Sequence, residues 1–223
     1  MKNVFKIVFI SIIIIAILAS CKQEGGNLIP VQGVPNTKNA VVFLGDSITE
    51  GYGLSKGEAY PSLIQNYWDN NNIPFRAVNE GISGNTTDDI INRLDNALTE
   101  DACFVFLEIG ANDAFTLSDV GEIKRKLKQI IKSIQRKNIK VALMAMEIPS
   151  GIPGLSKSYL EKFASIYDDV GKELKIPVMP SLLEETSHDS SLLQSDGIHP
   201  SAAGQKVLAK NILKFLNEDW ILK

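Results

Sequence analysis

AVVFLGDSIT, residues 40–49, is the stretch that decides the fold, because a short apolar run ends abruptly in a glycine, an acid and a serine. A continuously apolar run of this length is typical of a strand that is covered on both faces of a sheet. Further short, largely apolar segments recur along the chain. The predicted strands are 40–44, 75–78, 103–109, 141–146 and 176–179.

Apolar stripes with the period of a helix lie between or after these strands. In each stripe the apolar residues recur at intervals that place them on one helix face. The stripes are 90–98, 123–134, 160–174 and 208–216. Alternating strands and helices predict an α/β fold of three layers, in which a five-stranded parallel sheet lies between helices. We find no internal repeat and no second composition regime, so residues 40–223 are predicted to form one domain.

Four polar segments adjoin the predicted strands or the last helix. They are 45–49, 81–85, 110–113 and 196–200. In open parallel sheets, ligands bind beyond the carboxyl ends of the strands. The four segments are therefore expected to meet at one edge of the sheet and to form a site there.

A nucleophile, a base and an acid can be chosen from these segments. The chain has two histidines, of which His188 lies in a polar run that predicts an exposed loop. His199 is better placed, because Pro200 favours an extended backbone before it and suits the first turn of the following helix. Asp196 can turn its carboxylate back onto the imidazole of His199, and Ser47 directly follows the first strand. A serine activated by such a histidine can attack a carbonyl group.

Acyl transfer also needs hydrogen-bond donors for the developing oxyanion. The candidates are the backbone N–H of Ser47, the backbone N–H of Gly84 in a tight loop that a side chain would block, and the side-chain amide of Asn112. Each signal is weak alone, because Gly-Asp-Ser is common in turns and helix caps and Asn112 suits a turn. Together, and in this order at strand ends, they favour a hydrolytic site.

The four segments resemble the four blocks of the SGNH (GDSL-type) hydrolase family. The residues that match its Ser, Gly, Asn and His are Ser47, Gly84, Asn112 and His199, the last with Asp196. The resemblance spans roughly residues 41–210 and is strongest to the bacterial arylesterase, thioesterase and lysophospholipase branch. Two departures are small: Ile48 replaces the leucine of the name motif, and Ala111 stands where some members have glycine.

The resemblance implies more than the residues alone do. It implies a flavodoxin-like sheet of strand order 2-1-3-4-5 and a serine esterase that needs neither a metal nor another cofactor. Such an enzyme hydrolyses carboxylic ester or thioester bonds through an acyl-serine intermediate, with Ser47, Asp196 and His199 as the triad. Ser47, Gly84 and Asn112 would form the oxyanion hole.

Other function classes fit less well, and two remain open. The α/β-hydrolase elbow Gly-x-Ser-x-Gly is absent from the sequence, and Lys56 occupies the third glycine position of a dinucleotide fingerprint. A metal site lacks helical ligand spacing; its residues would be His188, Asp189, Asp196 and His199. The open alternatives are a carbohydrate O-acetyl esterase and a non-catalytic ligand-binding lipoprotein.

The loops after the third and fourth strands, 114–117 and 148–155, are expected to shape the acyl pocket. Their apolar side chains favour an apolar acyl chain, although packing within the loops explains them equally well. These side chains are Phe115, Leu117, Ile148, Ile152 and Leu155.

The N-terminal region predicts export and lipid attachment. Residues 1–20 have a basic start and an apolar run too short to span a bilayer, which is typical of a signal peptide. Residues 18–21, Leu-Ala-Ser-Cys, resemble a bacterial lipobox, which implies cleavage before Cys21 and lipid on that residue. An ordinary signal peptide and a retained anchor are the alternatives. Residues 21–39 predict a tether, unless their apolar side chains pack on the domain.

Charge then limits the partners. Without residues 1–20, the chain has 21 basic and 26 acidic residues, a net charge of −5, which disfavours nucleic-acid binding. The basic run 124–132 predicts a solvated helix face, with anionic lipid as the alternative. Cys103, in an apolar run, is expected to pack in the core.

From the N-terminal region and the predicted site together, we expect a monomer that acts on a small-molecule or lipid ester. We expect it to be held by lipid on a bacterial membrane, at its periplasmic or cell-surface side.

Overall fold

The computed structural model describes residues 39–181 and 189–219, with side chains as far as residue 216. Its centre is a five-stranded parallel sheet of order β2-β1-β3-β4-β5. The strands are β1 Ala40–Gly45, β2 Arg76–Gly81, β3 Ala102–Glu108, β4 Lys140–Met144 and β5 Val178–Met179. The predicted fold class and strand order are confirmed.

Helices cover both faces of the sheet. They are α1 Ser47–Glu50, α2 Tyr60–Asn70, α3 Thr87–Ala97, α4 Ala111–Phe115, α5 Val120–Arg136, α6 Lys157–Leu174 and α7 Ala202–Asp219. Helices α2 and α7 pack together on one face, whereas α3, α5 and α6 form the layer on the other. The four predicted helical stripes lie in α3, α5, α6 and α7 and turn their apolar residues to the sheet.

The apolar run that opened the sequence is the middle of the core. All six residues of β1 are buried, because β2 and β3 flank the strand and helices cover both of its faces. On the α2 side, the ring of Phe43 lies 5.4 Å from that of Tyr60 and 6.4 Å from that of Trp68, between centroids. Contacts of this kind between aromatic rings contribute beyond the burial of apolar area.

The two edge strands, β2 and β5, differ most in length from the sequence prediction, whereas β1 and β4 differ by one residue each. Strand β2 reaches Gly81 instead of stopping at residue 78, because its polar residues 79–81 continue the ladder with residues 43–45 of β1. An edge strand tolerates them, since its side chains are half exposed there. Strand β5 is shorter than 176–179, because only Val178 and Met179 pair with β4.

Several predictions fall on other parts of the chain. The signal peptide, Cys21 and the tether up to residue 38 lie outside the described residues, and so does His188. Cys103 is partly buried and packs against the core. Within residues 39–181 and 189–219, no helix combines the length and apolar character needed to cross a bilayer.

Candidate active site

The structure brings Ser47, Asp196 and His199 together at the carboxyl edge of the sheet. Ser47 is the first residue of α1, directly after β1, whereas Asp196 and His199 lie in the loop before α7. The Ser47 Oγ atom is 2.9 Å from His199 Nε2, and His199 Nδ1 is 2.7 Å from an Asp196 carboxylate oxygen. This is a continuous Ser–His–Asp hydrogen-bond chain.

The carboxylate fixes the tautomer of His199. A carboxylate next to Nδ1 keeps the proton on that nitrogen, so Nε2 is left to accept the proton of Ser47. Burial raises the pKa of Asp196, but hydrogen bonds from the ring of His199 and from the backbone N–H groups of Ile198 and His199 outweigh it and lower that pKa to about 2. Asp196 is therefore ionised at neutral pH and stabilises an imidazolium.

Neighbouring side chains hold the His199 loop in place. The side-chain amide of Gln194 donates to the backbone carbonyls of Tyr52 and Pro200, at 2.7 and 3.0 Å. Its backbone N–H donates to the carbonyl of His199 at 2.7 Å. The ring of Tyr52 lies against the imidazole, with 4.6 Å between centroids. Tyr52 and Gln194 were not identified from the sequence, because neither residue lies in the four polar segments.

The three predicted oxyanion donors lie around Ser47. The side-chain amide of Asn112 is 2.9 Å from the carbonyl of Asn85, next to Gly84, and 3.4 Å from a carboxyl oxygen of Asp46, next to Ser47. Among the described residues, the backbone N–H groups of Ser47 and Gly84 have no protein acceptor. The backbone N–H groups of Ser47 and Gly84 are therefore available to a further acceptor, whereas the Asn112 amide already donates to the carbonyl of Asn85.

The reason for glycine at position 84 differs from the prediction. A Cβ atom built there meets no atom within 4 Å, so space does not exclude a side chain. The backbone φ of Gly84 is +82°, a conformation that L side chains rarely adopt. Backbone conformation therefore requires the glycine.

Arg93 of α3 organises the same edge and was missed in the sequence. Its guanidinium donates to the side chain of Asn85 at 2.7 Å and to the carbonyls of Glu80 and Gly45 at 2.7 and 3.2 Å. It therefore links the ends of β1 and β2 to the loop of Gly84. Nothing distinguishes this arginine in the sequence from any other on an amphipathic helix.

A buried pair of acids, Asp46 and Glu108, lies beneath Ser47. Asp46 caps α1 by accepting from the backbone N–H of Ile48 at 3.1 Å. One Glu108 oxygen accepts from the backbone N–H of Asp46 at 3.3 Å and from the hydroxyl of Thr49 at 2.8 Å. In the sequence, the only sign of this buried pair is that Glu108 lies within the apolar run of the third predicted strand.

A narrow apolar cavity opens behind Ile48 and has a volume of about 40 Å³. Phe115 and Ile148, both predicted to shape an acyl pocket, line it together with Met144, Ile198 and Pro200. The other three predicted residues lie elsewhere: Ile152 and Leu155 pack against the core, and Leu117 is 55% exposed.

Within the described part of the chain, no group of three His, Cys, Asp or Glu residues is placed to hold a metal ion. Of the four residues considered for a metal site, His188 lies outside that part. Asp196 and His199 bind each other instead.

Known proteins share this fold and align with most of this chain. Thioesterase 1/protease 1/lysophospholipase L1 of Escherichia coli strain K12 is 29% identical over 186 residues, which are 83% of this chain and 82% of that protein. Esterase TesA of Pseudomonas aeruginosa is 28% identical over 173 residues, 77% of this chain and 85% of that protein. The crystal structure of psychrotrophic esterase EstA from Pseudoalteromonas sp., inhibited by monoethylphosphonate, superposes with a TM-score of 0.76 at 26% identity and covers 81% of this chain and 97% of that one.

The family model agrees with these relatives. It describes a GDSL-like Lipase/Acylhydrolase family and matches residues 43–207, which include Ser47, Gly84, Asn112, Asp196 and His199. This match covers most of the chain, and we conclude that the chain belongs to the GDSL-like lipase/acylhydrolase family.

Proposed function

We propose that the protein is a serine esterase that hydrolyses carboxylic ester or thioester bonds through an acyl group on Ser47. The observation that carries the proposal is the hydrogen-bond chain from Ser47 Oγ through His199 to Asp196, at 2.9 and 2.7 Å. The first is a distance at which a base takes a proton from a nucleophile, and the second is that of a hydrogen bond that orients the base. The names of the relatives, a thioesterase and esterases, support this reaction class.

In the first half of the reaction, His199 Nε2 takes the proton of Ser47 as its Oγ atom bonds to the carbonyl carbon. The carbonyl electron pair moves to oxygen, where the N–H groups of Ser47, Gly84 and Asn112 stabilise the negative charge. The tetrahedral intermediate then expels the alcohol or thiol, which takes its proton from His199. Asp196 stays ionised throughout and stabilises the imidazolium.

In the second half, water replaces the alcohol. His199 takes a proton from the water as its oxygen bonds to the acyl carbon, and the same donors hold the oxyanion. Collapse of this intermediate breaks the bond to Ser47 Oγ, which takes the proton back. The products are a carboxylic acid and the free enzyme.

The size of the cavity behind Ile48 favours short acyl groups. Its volume of about 40 Å³ is far below the several hundred Å³ of pockets that enclose larger ligands. The same observation supports a second candidate, a carbohydrate O-acetyl esterase, because the acetyl group carries only a methyl group on its carbonyl carbon and is therefore small. Rates on a panel from acetyl-xylan to acyl-CoA and lysophosphatidylcholine would distinguish the two.

Hydrolysis of p-nitrophenyl acetate and butyrate tests the reaction class. Ser47→Ala removes the nucleophile and should reduce the rate to the background of the buffer. Ser133→Ala, at a half-buried position of α5 away from the site, is the matched control and should keep the wild-type rate, since among the described residues the Ser133 hydroxyl bonds only to Arg136. Equal rates for Ser47→Ala and wild type would exclude the proposal, and so would an inactive wild type in the whole panel, which would favour a binding protein.

Covalent labelling tests the acyl-serine route. A reactive alkylphosphonate should add its mass to the peptide that contains Ser47 and abolish activity in proportion to labelling. Monoethylphosphonate inhibits EstA, which supports this choice of probe. An active preparation that stays unlabelled, or a label on another residue, would argue against the route.

We further propose that the protein is exported and anchored by lipid on Cys21, with a monomeric catalytic domain. The support is the lipobox-like sequence before Cys21 and the apolar run that precedes it. Metabolic labelling of the full chain with radioactive palmitate should mark the wild type and not Cys21→Ser. A label that persists in Cys21→Ser, or a wild type found in the soluble fraction, would contradict the anchor.

A further inference from the structure

Two buried acids near the site, Asp46 and Glu108, have no role in the proposed mechanism. They are 1% and 0% exposed, and their carboxyl groups are within hydrogen-bond contact of each other. In the described part of the chain, neither carboxyl group has a lysine or arginine as hydrogen-bond or ion-pair partner. The second carboxyl oxygen of Glu108, Oε1, is buried without a donor. Within that part of the chain, the pair therefore lacks the hydrogen-bond donors and positive charges that two buried carboxylates would need.

A single proton on the pair removes the repulsion between the two carboxylates, and Asp46 is the acid that carries this proton. Two carboxylates in contact and out of water cannot both be ionised. Glu108 already accepts from the backbone N–H of Asp46 and the hydroxyl of Thr49, which stabilise its negative form. Burial raises the pKa of both acids, and the charge of Glu108 raises that of Asp46 further.

The other titratable groups around the pair do not reverse this order. Tyr60 of α2 contacts the hydroxyl of Thr49, and burial raises its pKa. Tyr167 of α6 is also near both acids, and burial likewise raises its pKa. His199 favours the charged form of Asp46, but as the smallest of the influences on it.

The protonation of Asp46 decides where Asn112 can donate. The Asn112 amide has two N–H groups, of which one donates to the carbonyl of Asn85 at 2.9 Å. A carboxyl oxygen of Asp46 lies 3.4 Å from the same nitrogen and competes with the substrate for the second N–H. An ionised carboxylate is a much stronger acceptor than a neutral acid.

We propose that Glu108 is a positioning residue that keeps Asp46 protonated, so that the second N–H of Asn112 is available to the oxyanion. This inference rests on the proposed esterase function. An ionised Asp46 would hold that N–H and would also repel the negative charge that develops on the substrate oxygen. Both effects act on the transition state and not on the bound substrate, so they change kcat more than KM.

Glu108→Gln tests the proposal with little change in shape. Its amide oxygen can still accept from Asp46 and Thr49, while its N–H₂ donates to Asp46 and favours the ionised form. We expect kcat to fall about tenfold or more, since loss of a whole oxyanion donor costs about 10²–10³, with KM nearly unchanged. The ratio of wild-type to variant kcat should shrink as the pH is lowered, because Asp46 then regains its proton. A ratio that is independent of pH would overturn the proposal.

A second substitution distinguishes control of Asp46 protonation by Glu108 from a purely structural role of Glu108. Adding Asp46→Asn to Glu108→Gln removes the competing carboxylate and keeps a side-chain oxygen to cap α1, so kcat should recover to within a few-fold of wild type. A double variant as slow as Glu108→Gln, or slower, would show that Glu108 only supports the fold. Tyr60→Phe is the control, because it disturbs the same buried cluster without touching the pair; it should lower stability and leave the pH-dependence of kcat as in wild type.

The outcomes separate this inference from the proposed function. If Ser47→Ala hydrolyses esters as fast as wild type, the esterase proposal fails and Glu108 has no role to test. If Ser47→Ala is inactive and the Glu108→Gln result is independent of pH and not rescued, the esterase proposal stands and only the role of Glu108 is wrong.

Discussion

At the scale of single residues, the role of Asp196 depends on its negative charge and not only on the size of its side chain. It is ionised because its pKa lies at about 2, and it accepts a hydrogen bond from His199 Nδ1 at 2.7 Å. We expect Asp196→Asn to lower kcat by about 10³–10⁴-fold with a small change in KM, since a neutral amide neither fixes the tautomer nor stabilises the imidazolium. Steady-state kinetics on p-nitrophenyl acetate measure this. A loss below about tenfold would mean that His199 is oriented by other groups.

Tyr52 gives a second prediction at this scale. Its ring lies against the imidazole of His199, although the side chain is 52% exposed. Tyr52→Ala should lower kcat several-fold by loosening the imidazole, whereas Tyr52→Phe keeps the ring and should stay close to wild type. Similar losses in the two variants would assign the effect to the hydroxyl group instead of the ring contact.

The sequence could supply some of these residues and not others, for a physical reason. Ser47, Asp196 and His199 each lie where the local chain signals a strand end or a helix start, and Asp196 reaches His199 within one short loop. Arg93 and Glu108 act on residues far away along the chain: Arg93 reaches the carbonyl of Gly45, and Glu108 the backbone of Asp46. Such contacts exist only after the sheet has assembled.

At the scale of elements, β2 and α1 approach so closely that a side chain does not fit between them. A Cβ atom on Gly81 would lie 2.1 Å from the backbone nitrogen of Glu50. Gly81→Ala should therefore displace α1 and cost about 1–3 kcal/mol of stability, and it should lower kcat because α1 begins with Ser47. Thermal unfolding and ester hydrolysis measure the two effects.

The matched control for this contact is Gly57→Ala. A Cβ atom on Gly57 meets no atom within 4 Å, so we expect little change in either stability or kcat. Equal destabilisation by the two substitutions would show that chain flexibility, and not the approach of β2 to α1, sets the effect. The sequence predicted both strand and serine but not this contact, because the prediction ended β2 at residue 78.

At the scale of the whole molecule, the layers could be predicted because they depend on patterns that the sequence carries directly, whereas the strand order was implied only by the resemblance to the SGNH family. Continuous apolar runs predict strands that are covered on both faces, and helical stripes predict the layers that cover them. The length of the edge strands could not be predicted in this way. Pairing with β1 extends β2 through polar residues, and the short ladder with β4 limits β5 to Val178 and Met179.

The buried acid pair should also affect the stability of the whole molecule. Burial raises the pKa of Asp46 well above its usual value, so the folded protein keeps a proton that the unfolded chain loses above about pH 4. Folding stability is therefore highest, as far as Asp46 is concerned, below that pH, and falls as the pH rises toward the folded-state pKa, by up to about 1.4 kcal/mol per pH unit.

Asp46→Asn removes this dependence while its oxygen can still accept from the backbone N–H of Ile48. Its free energy of unfolding, measured with urea, should therefore increase relative to wild type as the pH rises above about 4. Asp89→Asn is the control with the opposite sign, because hydrogen bonds from Thr86 lower the pKa of Asp89. That variant should lose stability relative to wild type as the pH rises through the acid range. A difference between Asp46→Asn and wild type that stays constant with pH would mean that Asp46 is ionised in the folded protein, and that the pair does not hold the proton on which the role of Glu108 depends.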